Sequence, residues 1–167
     1  MINKNKLAEN IYLCKIFVMD RNKLIGIACD HAGFLLKEKI KKYLQNSDYE
    51  VIDFGTNSEE SVDYSDFIHP LASKINNGEI IRGIIICGSG NGVSMTANKY
   101  PNVRAALCWE EEISILARKH NDANILSLPA RFISEELAEK IVFSFLNTDF
   151  EGGRHEKRVD KINKIII

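Results

Sequence analysis

From residue 24 onward, short apolar runs alternate with longer stretches in which apolar positions recur every three or four residues. The segments "LIGIAC" (24–29), "EVIDFG" (50–55), "GIIIC" (83–87), "VRAALCW" (103–109) and "ANILSLPA" (123–130) read as strands, and the middle ones are continuously apolar. Continuous runs mark strands covered on both faces. Between the first two, Leu35, Leu36, Ile40, Tyr43 and Leu44 share one face of a helix over 33–46, with lysines opposite. Residues 56–64 are polar and turn-rich, a loop. A helix then runs through "SDFIHPLASKINNG", bent at Pro70 and ended near Gly78. Further helices are predicted over 91–99 and over 110–120. The second opens on Glu110, Glu111 and Glu112 and closes on Arg118, Lys119 and His120, which suits its dipole. Ser134 is placed to cap the next helix, and a last one carries Val159, Ile162 and Ile166 on one face.

Five alternations of strand and helix predict a three-layer α/β/α, doubly wound, Rossmann-like fold on a five-stranded parallel sheet. Ligands of such sheets bind at the carboxyl ends of the strands.

Composition narrows the class of partner. The chain has 167 residues, 45% of them hydrophobic, and a formal net charge of −1. Residues 24–167 suffice for a single domain with a sizeable core. The near-neutral balance gives no electrostatic case for nucleic acid or a membrane surface, and no apolar run approaches the ~20 residues of a membrane helix. Residues 1–23 read as an extension, flexible or loosely docked. They lack the cleavage site of a secretory signal, and Met19 is a candidate start codon. Cys14, Cys29, Cys87 and Cys108 form no CxxC pair, which fits reduced thiols in a cytoplasmic protein.

Unusual residues stand at the strand ends: Cys29-Asp30-His31, Cys87-Gly88-Ser89-Gly90 and Cys108-Trp109-Glu110, with His120-Asn121-Asp122 ahead of the fifth strand. The glycines after Cys87 admit two readings. A dinucleotide fingerprint needs G-x-G-x-x-G after the first strand, yet position 93 is valine, the third glycine is Gly92, and the strand is the third. The other reading is a nest of backbone amides able to hold an oxyanion and to stabilise a thiolate at Cys87. His31 lies at a strand end, where anions bind; His69, in an apolar stretch, reads as structural. His120 is equally compatible with a solvated helix end. If the segment "GGRHEKR", which holds His155, is helical, Arg154 and Arg158, four apart, project from one face and could clamp a phosphate; the other reading is an exposed basic face. No zinc-ligand spacing is recognisable.

Together "GIACDHAGFLLK", "EVIDFGT", "DY" (63–64), "IIICGSGNGVSMTANK", "RAALCW", "ARKHNDANIL" and "FEGGRHEKRV" resemble the ribose/galactose sugar-phosphate isomerase family, its B-type ribose-5-phosphate isomerases in particular, from about residue 24 to 165. The resemblance implies a parallel five-stranded sheet and an aldose–ketose isomerase of the pentose phosphate pathway without metal or cofactor. Cys87 matches the base that moves a proton between C2 and C1 through a cis-enediolate. Gly88, Gly90, Asn91 and Gly92, with the Ser89 hydroxyl, match the oxyanion-stabilising loop. Asp30 and His120 match residues associated with opening the sugar ring; His31, Arg131, Arg154 and Arg158 match phosphate-binding positions; Tyr64 and Asn121 match the sugar lining. The family's pocket forms between two subunits, which implies a homodimer or a tetramer. Some relatives use a glutamate as base and lack the cysteine; this chain has it. Phe150 stands where tyrosine is common, and residues 1–18 have no counterpart. Six-carbon substrates, allose or galactose 6-phosphate, are the nearest rivals to ribose 5-phosphate, and a non-catalytic nucleotide- or sugar-phosphate-binding module is the alternative of another class.

Overall fold

The computed structural model describes residues 21–163. Most of the expected extension, with Cys14 and Met19, lies outside the described residues, as does Ile166. Strands β1 (Leu24–Cys29), β2 (Glu50–Asp53), β3 (Arg82–Cys87), β4 (Ala105–Leu107) and β5 (Ile125–Pro129) form one sheet. All its pairings are parallel, in the order β2-β1-β3-β5-β4. Helices α1 (Phe34–Asn46), α2 (Tyr64–Asn76), α3 (Asn91–Ala97), α4 (Glu111–Asn121), α5 (Glu135–Leu146) and α6 (Glu156–Val159) follow in turn. The result is the three-layer Rossmann-like architecture that the alternation predicts.

The continuous apolar strands divide their side chains between two cores. Ile27, Ile84, Ile86, Leu126 and Leu128 pack against Ile40 and Leu44 of α1 and Ile141 and Phe145 of α5. Ala28, Ile85, Cys87 and Ile125 face the opposite layer, with Ile68, Leu71 and Ile75 of α2 and Val93 of α3. Burying each such leucine or isoleucine contributes about 1.5–3 kcal/mol, so much of the apolar stabilisation is centred on the middle strands. Ser134 caps α5 as predicted, its Oγ accepting the Leu137 N–H at 3.2 Å. Pro70 lies within α2, which ends at Asn76.

Several expected boundaries shorten where side chains take over backbone hydrogen bonds. β2 ends at Asp53 because its Oδ1 accepts the Gly55 N–H at 2.9 Å and turns the chain. β4, expected over 103–109, is reduced to three residues: the Arg104 N–H donates to Asn124 Oδ1 at 2.8 Å instead of to a strand. Asn98 ends α3 two residues early by bonding both backbone groups of Ala105, donating at 2.9 Å and accepting at 2.8 Å. The last helix is only Glu156–Val159, and Ile162 beyond it is exposed.

One feature of the topology positions the site. The chain leaves β1 for β2 on one side and then returns to place β3 on the other, so the strand order reverses between β1 and β3. Their carboxyl ends therefore flank the crevice in which doubly wound folds bind ligands.

Candidate active site

β1 delivers Asp30 to this crevice, tied to β3 by its N–H, which donates to the Ile86 carbonyl at 3.3 Å. Asp30 is buried and caps the short 3-10 turn His31–Gly33, its Oδ1 accepting the Gly33 N–H at 3.0 Å. His31 Nδ1 accepts the Val62 N–H at 3.2 Å. A backbone amide can only donate, so the neutral ring carries its hydrogen on Nε2, which remains available as a donor.

β3 ends at Cys87, which is 5% exposed. Its Sγ accepts the Gly90 N–H at 3.1 Å, so the glycine loop folds over the sulfur. Gly90 sits at φ 73°, the left-handed region, and a Cβ there would lie 2.3 Å from Leu107 Cδ1. Ser127, buried in β5, fixes the loop from below: its Oγ donates to the Gly90 carbonyl at 2.7 Å. Ser89 Oγ accepts the Asn91 N–H at 3.4 Å. Arg131 lies over Gly88, with Nε 3.2 Å from where a Cβ would be, and the Tyr64 ring lies against Gly92 in the same way at 2.7 Å. A cavity of about 400 Å³ opens between these groups, lined by Asp30, His31, Tyr64, Cys87, Ser89 and Arg131 among others, with Phe132 on its rim. That volume suits a small molecule. Burial pushes the thiols of Cys29 and Cys108 up to about 12, which leaves them protonated; of the three described cysteines only Cys87 opens into the cavity.

His120, Asn121, Arg154 and Arg158 do not line this cavity. His120, in the last turn of α4, stacks on His155 with ring centroids 4.2 Å apart and planes 2° from parallel. Its Nε2 lies 3.9 Å from Glu151 Oε2. Arg154 precedes α6 instead of sharing a helical face with Arg158, and its Nε donates to His155 Nε2 at 3.2 Å. The condition for a helical pair is therefore not met. Asn121 faces a separate cavity with Arg104, Ala123 and Ile162. His69 is exposed, its Nδ1 3.0 Å from the Tyr100 hydroxyl, and takes no part in either group.

Two other features lie apart from this site. His120, Glu151 and His155 bring possible metal-ligand atoms within 4.8 Å of one another. The stacked rings hold their lone pairs in separate parallel planes, so one ion cannot lie in line with both. A cavity of about 440 Å³ lined by Asn76, Arg82, Arg104 and Asp122 sits at the amino ends of the strands, away from the crevice.

Sequence reasoning places His155 only within a basic stretch and does not reach Ser127 or the Val62 amide. Ser127 had a signal, the single hydroxyl in an otherwise apolar strand. The doubled glycine before Arg154 signals a turn that could have separated His155 from the basic surface. A backbone donor such as Val62 N–H has no sequence signature.

A doubly wound parallel sheet with a thiol, a carboxylate, an imidazole and a guanidinium around one small cavity at its switch point defines an α/β protein built to hold a small anionic ligand beside a group able to take a proton. The ribose/galactose isomerase family model matches residues 25–162. Over 143 residues the chain is 43% identical to ribose-5-phosphate isomerase B of Escherichia coli (strain K12), covering 86% of this chain and 96% of that protein. The solved ribose 5-phosphate isomerase of Thermotoga maritima is 52% identical with a TM-score of 0.83, covering 85% of this chain and 98% of that one. The Mycoplasma genitalium ribose-5-phosphate isomerase B, solved with bound ribulose-5-phosphate, is 44% identical with a TM-score of 0.80, covering 84% and 93%. The chain belongs to the ribose/galactose isomerase family.

Proposed function

We propose that the chain is an aldose–ketose isomerase that interconverts ribose 5-phosphate and ribulose 5-phosphate. The observation that carries this reading is Cys87, its sulfur under the amide of the glycine loop, in a cavity that also holds Asp30, His31 and Arg131. The Cys87 thiolate takes the C2 proton of the open-chain aldose, the electron pair forms the C1–C2 double bond of a cis-enediolate, and the thiol returns the proton to C1 while the hydroxyl proton on O2 passes to O1. Hydrogen moves within one molecule, so the balance calls for no oxidant or reductant.

The C2 proton is far less acidic than a thiol, so the enediolate must be stabilised as it forms. Amides of the 88–92 loop and the Ser89 hydroxyl are assigned that task; losing one preorganised donor of this kind typically costs about 3–4 kcal/mol. His31 Nε2–H and the Arg131 guanidinium hold the phosphate and fix orientation. Tyr64 lines the sugar.

Asp30 and His120 are assigned to the preceding step, moving a proton from the anomeric hydroxyl to the ring oxygen. Because His120, Asn121, Arg154 and Arg158 lie outside the Cys87 cavity of their own chain, a second copy supplies them, and the working unit is a homodimer with the site at its interface. The exposed rings of Phe132 and Tyr64 on the cavity's edge suit such an interface. Three buried free thiols accord with a cytoplasmic compartment.

The test is turnover of ribose 5-phosphate by the wild type and by Cys87→Ala after treatment with a chelator. Activity that survives the chelator and falls by several orders of magnitude in the variant supports the thiol base. Full activity in the variant removes Cys87 from that role, and an inactive wild type redirects the search to six-carbon sugar phosphates.

A further inference from the structure

We propose that His155 is a positioning residue whose ring fixes the plane of His120 for opening the sugar ring; the inference rests on the isomerase reading above. The local sequence "EGGRH" explains how a histidine in a basic run comes to be buried. Gly152 and Gly153 both adopt positive φ, 67° and 57°, a consecutive pair that side-chain-bearing residues rarely sustain. The Glu151 N–H donates to the Lys119 carbonyl at 3.0 Å, anchoring the turn to the end of α4. The turn then closes through the His155 N–H, which donates to the Gly152 carbonyl at 3.0 Å. Arg154 is left exposed while His155, 4% exposed, is carried back against His120.

The arrangement identifies His155 as a wall and not an acid. Arg154 donates to its Nε2, so that nitrogen is an acceptor and the ring is neutral with its hydrogen on Nδ1. Desolvation, with His120 and Arg154 adding to it, also holds its pKa below the ordinary histidine range. His120 needs such a wall. It stands in the last turn of a helix, its side chain 36% exposed, and the χ2 torsion of histidine is broad and two-fold. The other charged groups around it, Lys119, Glu151, Arg154 and Arg158, sit on flexible side chains, and the Glu151 oxygen at 3.9 Å is too far for a hydrogen bond that would fix the ring. The parallel face of His155 is the contact that selects one ring plane. Ring opening requires the imidazole in line with the sugar oxygen, and misplacement by about 1 Å can lower a rate by about a hundredfold.

Ring opening can be separated from proton transfer, because ribulose 5-phosphate has its carbonyl at C2 and its C5 oxygen esterified and cannot close a furanose, and the open-chain aldose formed from it can leave the site and close in solution. Initial rates are measured in both directions for the wild type, His155→Ala, His155→Phe, His120→Asn and the His120→Asn/His155→Ala double variant, with thermal melting of each. In the direction from ribose 5-phosphate, His155→Ala is expected to lower kcat by roughly tenfold to a hundredfold with KM within about twofold, while consumption of ribulose 5-phosphate stays within about threefold of wild type. His155→Phe keeps a flat wall and is expected to retain most of the forward rate, and the double variant to match His120→Asn. Equal losses in both directions, an unaltered forward rate in His155→Ala, or a folded His155→Phe as impaired as His155→Ala each overturn the role. If His155→Ala does not fold, His155→Phe decides alone: retained forward rate supports the wall and a tenfold loss overturns it. A wild type inactive in both directions overturns the isomerase reading and this role with it.

Discussion

Ser127→Ala tests whether the glycine loop is held from the sheet beneath it. The Ser127 side chain is fully buried, and its Oγ donates at 2.7 Å to the carbonyl of Gly90, the left-handed residue of the loop. Truncation to alanine leaves the backbone of β5 intact and removes one donor. An orphaned buried carbonyl costs about 1–3 kcal/mol, but the Gly90 oxygen also accepts the Ser94 N–H at 3.3 Å, which places the loss near the low end, about 1 kcal/mol. For a domain of this size that lowers the thermal midpoint by about 2–4 °C. The consequence for activity is larger than the consequence for stability. Gly90 carries both the carbonyl that Ser127 holds and the amide at 3.1 Å from the Cys87 sulfur, so a loop freed to shift weakens the contact at the thiol. Each 1.36 kcal/mol lost from transition-state stabilisation is tenfold in rate, and a fall in kcat of about tenfold with little change in KM is expected. Differential scanning calorimetry and steady-state kinetics on the same preparations measure the two effects. A variant that loses the few degrees yet keeps wild-type kcat refutes the reasoning, because Ser127 is then a core residue without influence on the loop.

Three further outcomes are expected. Gly90→Ala combines a positive φ with a Cβ 2.3 Å from Leu107 Cδ1 and should lose about 2–4 kcal/mol in urea titrations; an unchanged midpoint would contradict the loop geometry. Brief alkylation with iodoacetamide near pH 8, followed by peptide mass mapping, should label Cys87 ahead of Cys29 and Cys108, whose thiols burial pushes up to about 12; earlier labelling of Cys29 would refute this. For Asp53, burial raises the carboxyl's pKa, but hydrogen bonds from Lys37 and Lys41 outweigh it and hold the value below the ordinary 3.8. The unfolded chain then binds this proton more tightly, so the stabilisation is complete above about pH 4–5 and is lost as pH falls through the lower folded value. Urea titrations of Asp53→Asn should show a shallower loss of stability on the acid side than wild type, and a parallel acid limb would overturn the assignment.

The parts of this molecule legible in the sequence are those where one face or both faces of an element are buried. The runs in β1, β3 and β5 could be read as covered strands because apolar residues occupy successive positions, and the ends of those strands then located Asp30, Cys87 and the glycine loop. Element boundaries are less legible: a side chain replaces a backbone partner at Asp53 after β2, at Asn124 before β4 and at Asn98 after α3, and asparagine or aspartate in a polar stretch does not announce which amide it will bind. The segment 150–163 shows the opposite difficulty. Its charge pattern suggests a basic helix with Arg154 and Arg158 on one face, yet the two positive-φ glycines turn the chain before the helix begins and bury the one histidine of the run. Local pattern predicts the solvated surface correctly and misses the long-range stack between His120 and His155, whose partners are 35 positions apart.

The division of the proposed site into two groups on one chain leads to a test that depends on assembly and not on any single distance. Cys87 and the glycine loop occupy the crevice between β1 and β3, whereas His120 stands on α4 beside the 151–155 turn. If each site combines the Cys87 group of one copy with the His120 group of another, a chain carrying Cys87→Ala retains an intact His120 group and a chain carrying His120→Asn retains an intact thiol. Mixing the two inactive variants in equal amounts, with exchange of subunits, places about half of the chains in mixed dimers, and each mixed dimer contains one doubly altered site and one wild-type site. About a quarter of wild-type activity towards ribose 5-phosphate is therefore expected from two preparations that are each nearly inactive. Sites confined within single chains allow no such recovery, since every chain in the mixture then carries one lesion in its own site. A mixture that exchanges subunits, as followed by native mass spectrometry, and regains nothing excludes the shared site whatever the oligomeric state.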